Sequence, residues 1–275
     1  MIVVSCRRHF DSNRRLAPAL QFREYPDPAR PGDWRAVTPG DLAGRAAGRR
    51  VCLLVHGYNN ALPAILDAYA ELRRGMAAAG LTGRDGYGLV AGFAWPGFTG
   101  PEYLAARATA NRAGLHLRDL LQPLAAAAAA VDVEAHSLGA RVALSALRKK
   151  HAVRIGNLRL LAAAVDHSIL EPGRVFHSSL DSCARAVVYH SRRDRTLRRA
   201  YPVGDLADGI QQALGCTGPR RPARALAACP NLYIVDCTAA VGDDHSGYRK
   251  SAACLAHWRR LLDGAPLPRM ETLAP

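Results

Sequence analysis

The chain has 275 residues, of which 49% are hydrophobic, so it can bury a sizeable core and is not a disordered polypeptide. Its formal net charge of +14 comes from an excess of arginine, because only three of its 37 basic residues are lysine. A basic balance permits an anionic partner, but no segment has the pattern of a nucleic-acid module and aromatic residues are few. We therefore expect a mostly solvated basic surface and no nucleic-acid partner.

Eight segments have the length and composition of β-strands. In chain order the predicted strands are residues 2–6, 19–25, 51–55, 87–95, 131–135, 158–165, 184–190 and 231–237. Segment 51–55 is apolar without alternation, which is typical of a strand buried on both faces of a parallel sheet. The first strand is too short for a signal peptide, and the positive charge follows its apolar run instead of preceding it.

Helical periodicity separates most of these strands. The predicted helices run from the N-cap Asn60 to Gly80, over residues 101–121 before Pro123, from Ala140 to the basic residues 148–150, over 206–214 and over 248–262, with about one helical turn after Thr38-Pro39. Alternating strands and helices without a break in composition predict a single α/β domain with a doubly wound, mainly parallel sheet flanked by helices. Residues 1–50 are expected to supply N-terminal strands and a connection, and residues 51–262 a catalytic core.

The segment 131–141 combines a strand, a tight turn with serine at its apex and an immediate helix, which is the pattern of a nucleophile elbow. The residues two before and two after the serine must be small, because strand and helix nearly touch there. Here they are Ala135 and Gly139, so Ala135 departs from the usual glycine by one methyl group, which the turn tolerates. Ser137 is therefore the predicted nucleophile.

A serine nucleophile needs a histidine base and a carboxylate that orients it. Catalytic groups of doubly wound sheets lie at the carboxyl ends of the strands, and in α/β hydrolases they follow the order serine, acid, histidine. Ser137, Asp194 and His245 satisfy both conditions. Asp166, which follows the first strand after the elbow, is the alternative acid, whereas His167 precedes Asp194 and so has the wrong order for the base.

The oxyanion of the reaction needs two backbone N–H donors. One is expected from Leu138, directly after the nucleophile, and the other from Tyr58, in the loop after the strand 51–55. Gly57 would let that loop approach the serine closely. His56, Gly57 and Trp95 are therefore candidates for lining the substrate cleft.

Arginines flank the predicted acid in segment 192–199. The simpler interpretation is a solvated basic loop. The alternative is that one or two of these arginines face the cleft and favour an anionic substrate. Segment 195–230 is long enough to cover the cleft.

Three motifs carry a resemblance to a known family: HGYNN at 56–60, Ala-Trp-Pro at 94–96 and AHSLG at 135–139. The chain resembles a bacterial α/β-hydrolase family of unknown function, with Leu138 where that family has methionine. Further matches are Tyr103, residues 194–197, Leu214-Gly215, Gly218-Pro219 and Val235-Asp236, so the resemblance covers roughly 51–262. It implies a serine-hydrolase fold with a triad, favours Asp194 over Asp166, and makes Ala135 an ordinary residue at its position.

These residues predict an esterase-like or lipase-like serine hydrolase that cleaves small-molecule carboxylic esters or thioesters through an acyl-enzyme. The same constellation hydrolyses amides, so an amidase or peptidase is one alternative. The other alternative is a hydrolase-fold binding module with a basic surface and no catalysis.

The seven cysteines include no CxxC pair and no zinc-type spacing, so we expect neither a metal nor a cofactor. Reduced thiols in a cytoplasmic protein are the simplest account, with a Cys216–Cys229 pair as the alternative in an oxidising compartment. No segment reaches the roughly 18 apolar residues of a membrane span, so we expect none.

Overall fold

The computed structural model describes residues 1–98, 100, 102–148, 153–199, 201 and 212–275. Its strands are β1 (Ile2–Arg7), β2 (Leu16–Glu24), β3 (Arg35–Ala36), β4 (Arg50–Val55), β5 (Leu89–Ala94), β6 (Ala130–His136), β7 (Ile155–Leu161), β8 (Cys183–His190), β9 (Leu232–Asp236) and β10 (Met270–Thr272). They form one sheet in the order β10-β9-β8-β7-β6-β4-β5-β1-β2-β3.

The sheet is parallel from β10 across to β1, and only β2 and β3 add antiparallel pairs at the far edge. The predicted mainly parallel α/β sheet is thus confirmed. Strand β4 has β5 on one side and β6 on the other, so the order of the strands reverses beside it. Ligands of such sheets bind at this reversal, outside the carboxyl ends of the strands.

Helices cover both faces of the sheet. They are α1 (Pro39–Ala46), α2 (Leu62–Ala78), α3 (Tyr103–Ala127), α4 (Gly139–Leu147), α5 (Arg195–Arg199), α6 (Leu214–Thr217), α7 (Pro222–Ala228), α8 (Thr238–Val241) and α9 (Ala252–Leu262), with 3-10 turns at His177–Ser182 and Gly247–Arg249. Alternate residues of β4 divide between two apolar clusters, one under α3 and α4 and the other under α2 and α9, and the apolar residues of β6 belong to the first cluster. Within the described part of the chain, no helix is long and apolar enough to cross a bilayer.

Several helix boundaries differ from the prediction, and the last helix, predicted from Tyr248, begins at Ala252 after the 3-10 turn Gly247–Arg249. Helix α3 continues through Pro123 to Ala127, because a proline removes only one backbone hydrogen bond there while Leu121 and Leu124 of the same turns are buried in the core. Helix α2 begins after Ala61, since the side chain of Asn60 donates to the carbonyl of Tyr58 instead of capping the helix.

The end of strand β7 and the length of helix α1 also differ from the prediction. Strand β7 ends at Leu161 because Ala162 adopts a positive φ of 47°. The expected single turn after Thr38 is an eight-residue helix with a Thr38–Asp41 capping box. Several predicted boundaries lie outside the described residues: Lys149 and Lys150 at the end of the helix after the elbow, residue 101 at the start of the helix 101–121, and residues 206–211 of the helix 206–214.

Candidate active site

Ser137 lies at the turn between β6 and α4 with a positive φ of 54°. This left-handed conformation is strained for a residue with a side chain, so the surroundings must hold it. The N–H of Ser137 donates to the carbonyl of Leu161 over 2.9 Å, and its own carbonyl accepts from Ala140 and Ala164 at 3.1 Å. These bonds to β7 and α4 fix the elbow from both sides.

The two small residues of the elbow have different surroundings. A methyl group added at Gly139 would lie 2.7 Å from the carbonyl oxygen of Val55 and closer still to that of His56, so no side chain fits there. Ala135 pairs in register with Val55 and is fully buried in the apolar cluster under α3 and α4. The methyl group that departs from the usual pattern is therefore core packing.

The predicted base and acid lie together, although 51 residues separate them. Nδ1 of His245 is 2.7 Å from Oδ2 of Asp194, and the other oxygen of Asp194 accepts from the N–H of Leu197 at 2.9 Å. Asp194 is 1% exposed, and the side chain of His245 is 17% exposed. Because a carboxylate accepts at Nδ1, the neutral ring carries its proton there and leaves Nε2 free to act as a base.

His245 and Ser137 line the same cavity of about 400 Å³ at the carboxyl ends of β4 and β6. His136 connects the two, since its Nε2–H donates to the carbonyl of His245 over 2.8 Å. Burial, together with the neighbouring His245, holds the pKa of His136 well below its ordinary range, so the ring stays neutral. His136 therefore braces the loop that carries His245.

The loop after β4 presents backbone toward the serine. A methyl group added at Gly57 would lie 2.8 Å from Cβ of Ser137, so the close approach expected at this glycine is present. Among the described residues, no acceptor takes a hydrogen bond from the backbone N–H of Tyr58 or Leu138. Both groups are therefore available to a ligand.

His56 and Trp95 stabilise this loop. Nε2 of His56 accepts from the N–H of Trp95 at 3.0 Å, and the indole N–H of Trp95 donates to the carbonyl of His56 at 2.7 Å. Burial, reinforced by Arg7, holds the pKa of His56 well below its ordinary range. His56 lines the cavity, but Trp95 is fully buried behind it, so the expectation that Trp95 lines the cleft is wrong.

Arg7 was not predicted to contribute to the site. Its buried guanidinium donates to the carbonyls of Trp95 and Asn60, both at 3.0 Å, and so ties β1 to the two loops beside the serine. Burial lowers the pKa of Arg7 to about 10. The only indication in the sequence is an arginine that directly continues an apolar strand.

The alternative acid lies elsewhere. Oδ1 of Asp166 accepts from the backbone N–H of Ser168 at 2.6 Å and from its hydroxyl at 2.7 Å. No contact joins Asp166 to His245 in the described ranges, and Asp166 does not line the cavity.

The arginines around Asp194 also lie outside this cavity. Arg193, Arg195, Arg198 and Arg199 line a separate surface depression of about 330 Å³, together with Asp243. This placement favours the interpretation as a solvated basic loop.

Two charged residues in the cavity were missed. Glu134 of β6 is 3% exposed, and its burial raises its pKa to about 7. Arg249 follows His245 by four residues and lines the same space. A carboxylate in a strand otherwise expected to be buried was the sequence feature that could have indicated Glu134.

All seven cysteines are buried free thiols, including Cys216 and Cys229. Among the residues that the structure describes, no group of three or more histidine, cysteine or carboxylate side chains could hold a metal ion.

A comparison with protein families agrees with this geometry. The model of a family described as alpha/beta hydrolase of unknown function (DUF900) matches residues 41–252, which is most of the chain and includes every residue of the elbow, the acid and the base. A search of curated proteins finds no match. The predicted family resemblance is confirmed, and the chain belongs to this family of alpha/beta hydrolases of unknown function.

Proposed function

We propose that the protein is a serine hydrolase that cleaves small-molecule carboxylic esters or thioesters, with Ser137 as nucleophile, His245 as base and Asp194 as the orienting acid. The observation that carries the proposal is the 2.7 Å contact of His245 with Asp194, on a histidine that shares a cavity with the strained Ser137. Family membership supports hydrolysis as the reaction class.

In the first step, Oγ of Ser137 attacks the carbonyl carbon while Nε2 of His245 takes its proton. Asp194 stabilises the imidazolium that forms. The N–H groups of Tyr58 and Leu138 donate to the oxyanion, for which they have no competing acceptor among the described residues.

The tetrahedral intermediate then collapses. The bond to the alcohol or thiol breaks, and His245 returns the proton to that leaving group. Water attacks the acyl-Ser137 ester with His245 again as base, which releases the carboxylic acid and restores the serine. Every proton in this cycle moves between the substrate, water, Ser137 and His245.

The test is covalent labelling with a fluorophosphonate. The wild type should be labelled, Ser137→Ala should not, and Ser246→Ala should be labelled like the wild type, since Ser246 lines the same cavity without lying at the elbow. A wild type labelled no better than Ser137→Ala would exclude the catalytic proposal. Comparing kcat/KM for an ester, a thioester and an anilide of the same acyl group then shows which leaving group the enzyme prefers. A preference for the anilide would identify an amidase.

A further inference from the structure

The cavity beside Ser137 is also lined by charged residues that the proposed triad does not use. On β6, Asp132, Glu134 and His136 share the face opposite the buried Val133 and Ala135, because side chains alternate along a strand. Asp132 accepts from Asn157, Tyr87 and Arg159, and His136 bonds to the His245 loop. Glu134 lies between these two partnered residues.

Glu134 has a free oxygen in a buried position. Its Oε2 is buried and has no hydrogen-bond partner among the described residues. A buried polar atom without a partner costs free energy, and native proteins seldom leave one without water or a ligand. Because Glu134 lines the cavity, a bound group can supply that partner.

Arg249 offers a donor in the same space. Its side chain is 18% exposed, and its Nε is buried without a hydrogen bond, 3.7 Å from the carboxylate of Glu71. Arg249 and Glu134 line the same cavity, and Arg249 acts electrostatically on the Glu134 carboxyl. Apolar side chains of the same cavity include Val55, Ile65 and Leu72.

The chemistry of this pair selects its ligand. Arginine donates only, whereas a carboxyl accepts when ionised and donates when protonated. A carboxylate ligand would be repelled by ionised Glu134, and an ammonium ligand by Arg249. A hydroxyl group both donates and accepts, so it satisfies the two residues in either protonation state of Glu134.

We propose that this cavity binds the acyl chain of a hydroxyacyl ester or thioester, with Glu134 and Arg249 holding the terminal hydroxyl; the inference rests on the proposed serine-hydrolase function. Glu134 precedes Ser137 by three strand residues, so their Cα atoms lie about 10 Å apart along β6. A chain of about six bonds of roughly 1.5 Å each spans most of this distance. The apolar wall then contacts its methylene groups.

The test compares two p-nitrophenyl esters of equal length, 6-hydroxyhexanoate and heptanoate, which differ only by a terminal hydroxyl in place of methyl. The wild type should favour the hydroxyacyl ester in kcat/KM by about tenfold, the ratio that one satisfied hydrogen bond provides. Glu134→Leu and, independently, Arg249→Met should reverse this preference in favour of heptanoate. Glu134→Gln should retain most of it, and Glu71→Gln, which neutralises the partner of Arg249 and Lys250 outside the cavity, should leave it unchanged.

Fluorophosphonates with 5-hydroxypentyl and hexyl chains on phosphorus, which match the two acyl chains in length, provide a second measurement that does not depend on turnover, and the rates of labelling should show the same order. Wild-type enzyme that cleaves both esters equally, or prefers heptanoate, overturns the hydroxyl subsite while the serine-hydrolase function stands. Failure to cleave or label above the level of Ser137→Ala overturns that function and this inference with it.

Discussion

The ring N–H of His136 donates to the backbone carbonyl of His245 over 2.8 Å. His136, which directly precedes the proposed nucleophile, therefore holds the backbone of His245, the proposed base. The position of His245 relative to Ser137 depends on a direct contact between their segments as well as on the loop from β9.

His136→Phe should keep the packing of the ring but remove this donor. We expect a loss of stability of about 1 kcal/mol, as for one buried hydrogen bond, and a fall in kcat of about tenfold with little change in KM. His136→Gln places an N–H near the same point and should recover most of the kcat. Ester kinetics and thermal unfolding check both, and an equal loss in the two variants would assign the effect to ring packing instead.

The two candidate acids provide a matched pair of substitutions. Asp194→Asn should lower kcat by roughly 10³-fold or more, because the amide no longer holds the His245 tautomer with Nε2 free. Asp166→Asn should keep the activity and lower the unfolding temperature, since it weakens the turn to Ser168. The opposite result would transfer the acid role to Asp166.

The elbow tolerates no side chain at Gly139, the small position two residues after the serine. Gly139→Ala should destabilise the protein by about 1–3 kcal/mol, because the added methyl meets backbone carbonyls of the β4 end. Gly44→Ala is the control: Gly44 lies in α1 with nothing within 4 Å of the added group, and the change should stabilise by about 0.5–1 kcal/mol. Chemical denaturation measures both, and equal effects would contradict the close approach.

The raised pKa of Glu134 predicts a pH-dependent stability. The folded protein binds the proton more tightly than the unfolded chain, with a pKa of about 7 against an ordinary 4.5. The resulting stabilisation is complete below about pH 4.5 and is lost as the pH rises through about 7. Glu134→Gln removes this loss, so the variant should gain up to about 3 kcal/mol relative to the wild type over that interval.

Denaturation of both proteins at several pH values checks this expectation. The other groups that act on Glu134 are the guanidinium groups of Arg159 and Arg249, which oppose the rise of its pKa, and the neighbouring His136 on the same strand is kept neutral by its own lowered pKa. A difference between the two proteins that does not change with pH would show that Glu134 does not titrate in this range.

The sequence predicts the parts of the fold that depend on local pattern. The uninterrupted apolar run before His56 indicates a central strand, and the elbow is legible from six residues around Ser137. The end of α3 is not, because the burial of Leu124 outweighs the local effect of Pro123. Strands β3 and β10 have two and three residues and leave no periodicity to detect.

The residues of the candidate site also differ in how far the sequence predicts them. Asp194 and His245 are predicted from their order and their places after strands, which needs no knowledge of contacts. Arg7 and Glu134 are missed because their importance depends on partners, or on the lack of one, that only the folded chain shows. The sequence places Trp95 correctly at the end of a strand but does not show the direction of its side chain. That side chain packs behind His56 and does not reach the cavity.

The sheet order places the members of the proposed triad on both central and outer strands. The nucleophile and the oxyanion donors follow β6 and β4, which are neighbours in the middle of the sheet, whereas the acid and the base follow β8 and β9, with only the three-residue β10 beyond them. Partial opening of that outer margin would separate His245 from Ser137 while the central strands remain paired. With Trp34 and Trp258 replaced by phenylalanine, the fluorescence reports buried Trp95 alone. In this variant, activity should disappear at a lower denaturant concentration than the fluorescence changes, and the protein should recover its activity at once on dilution.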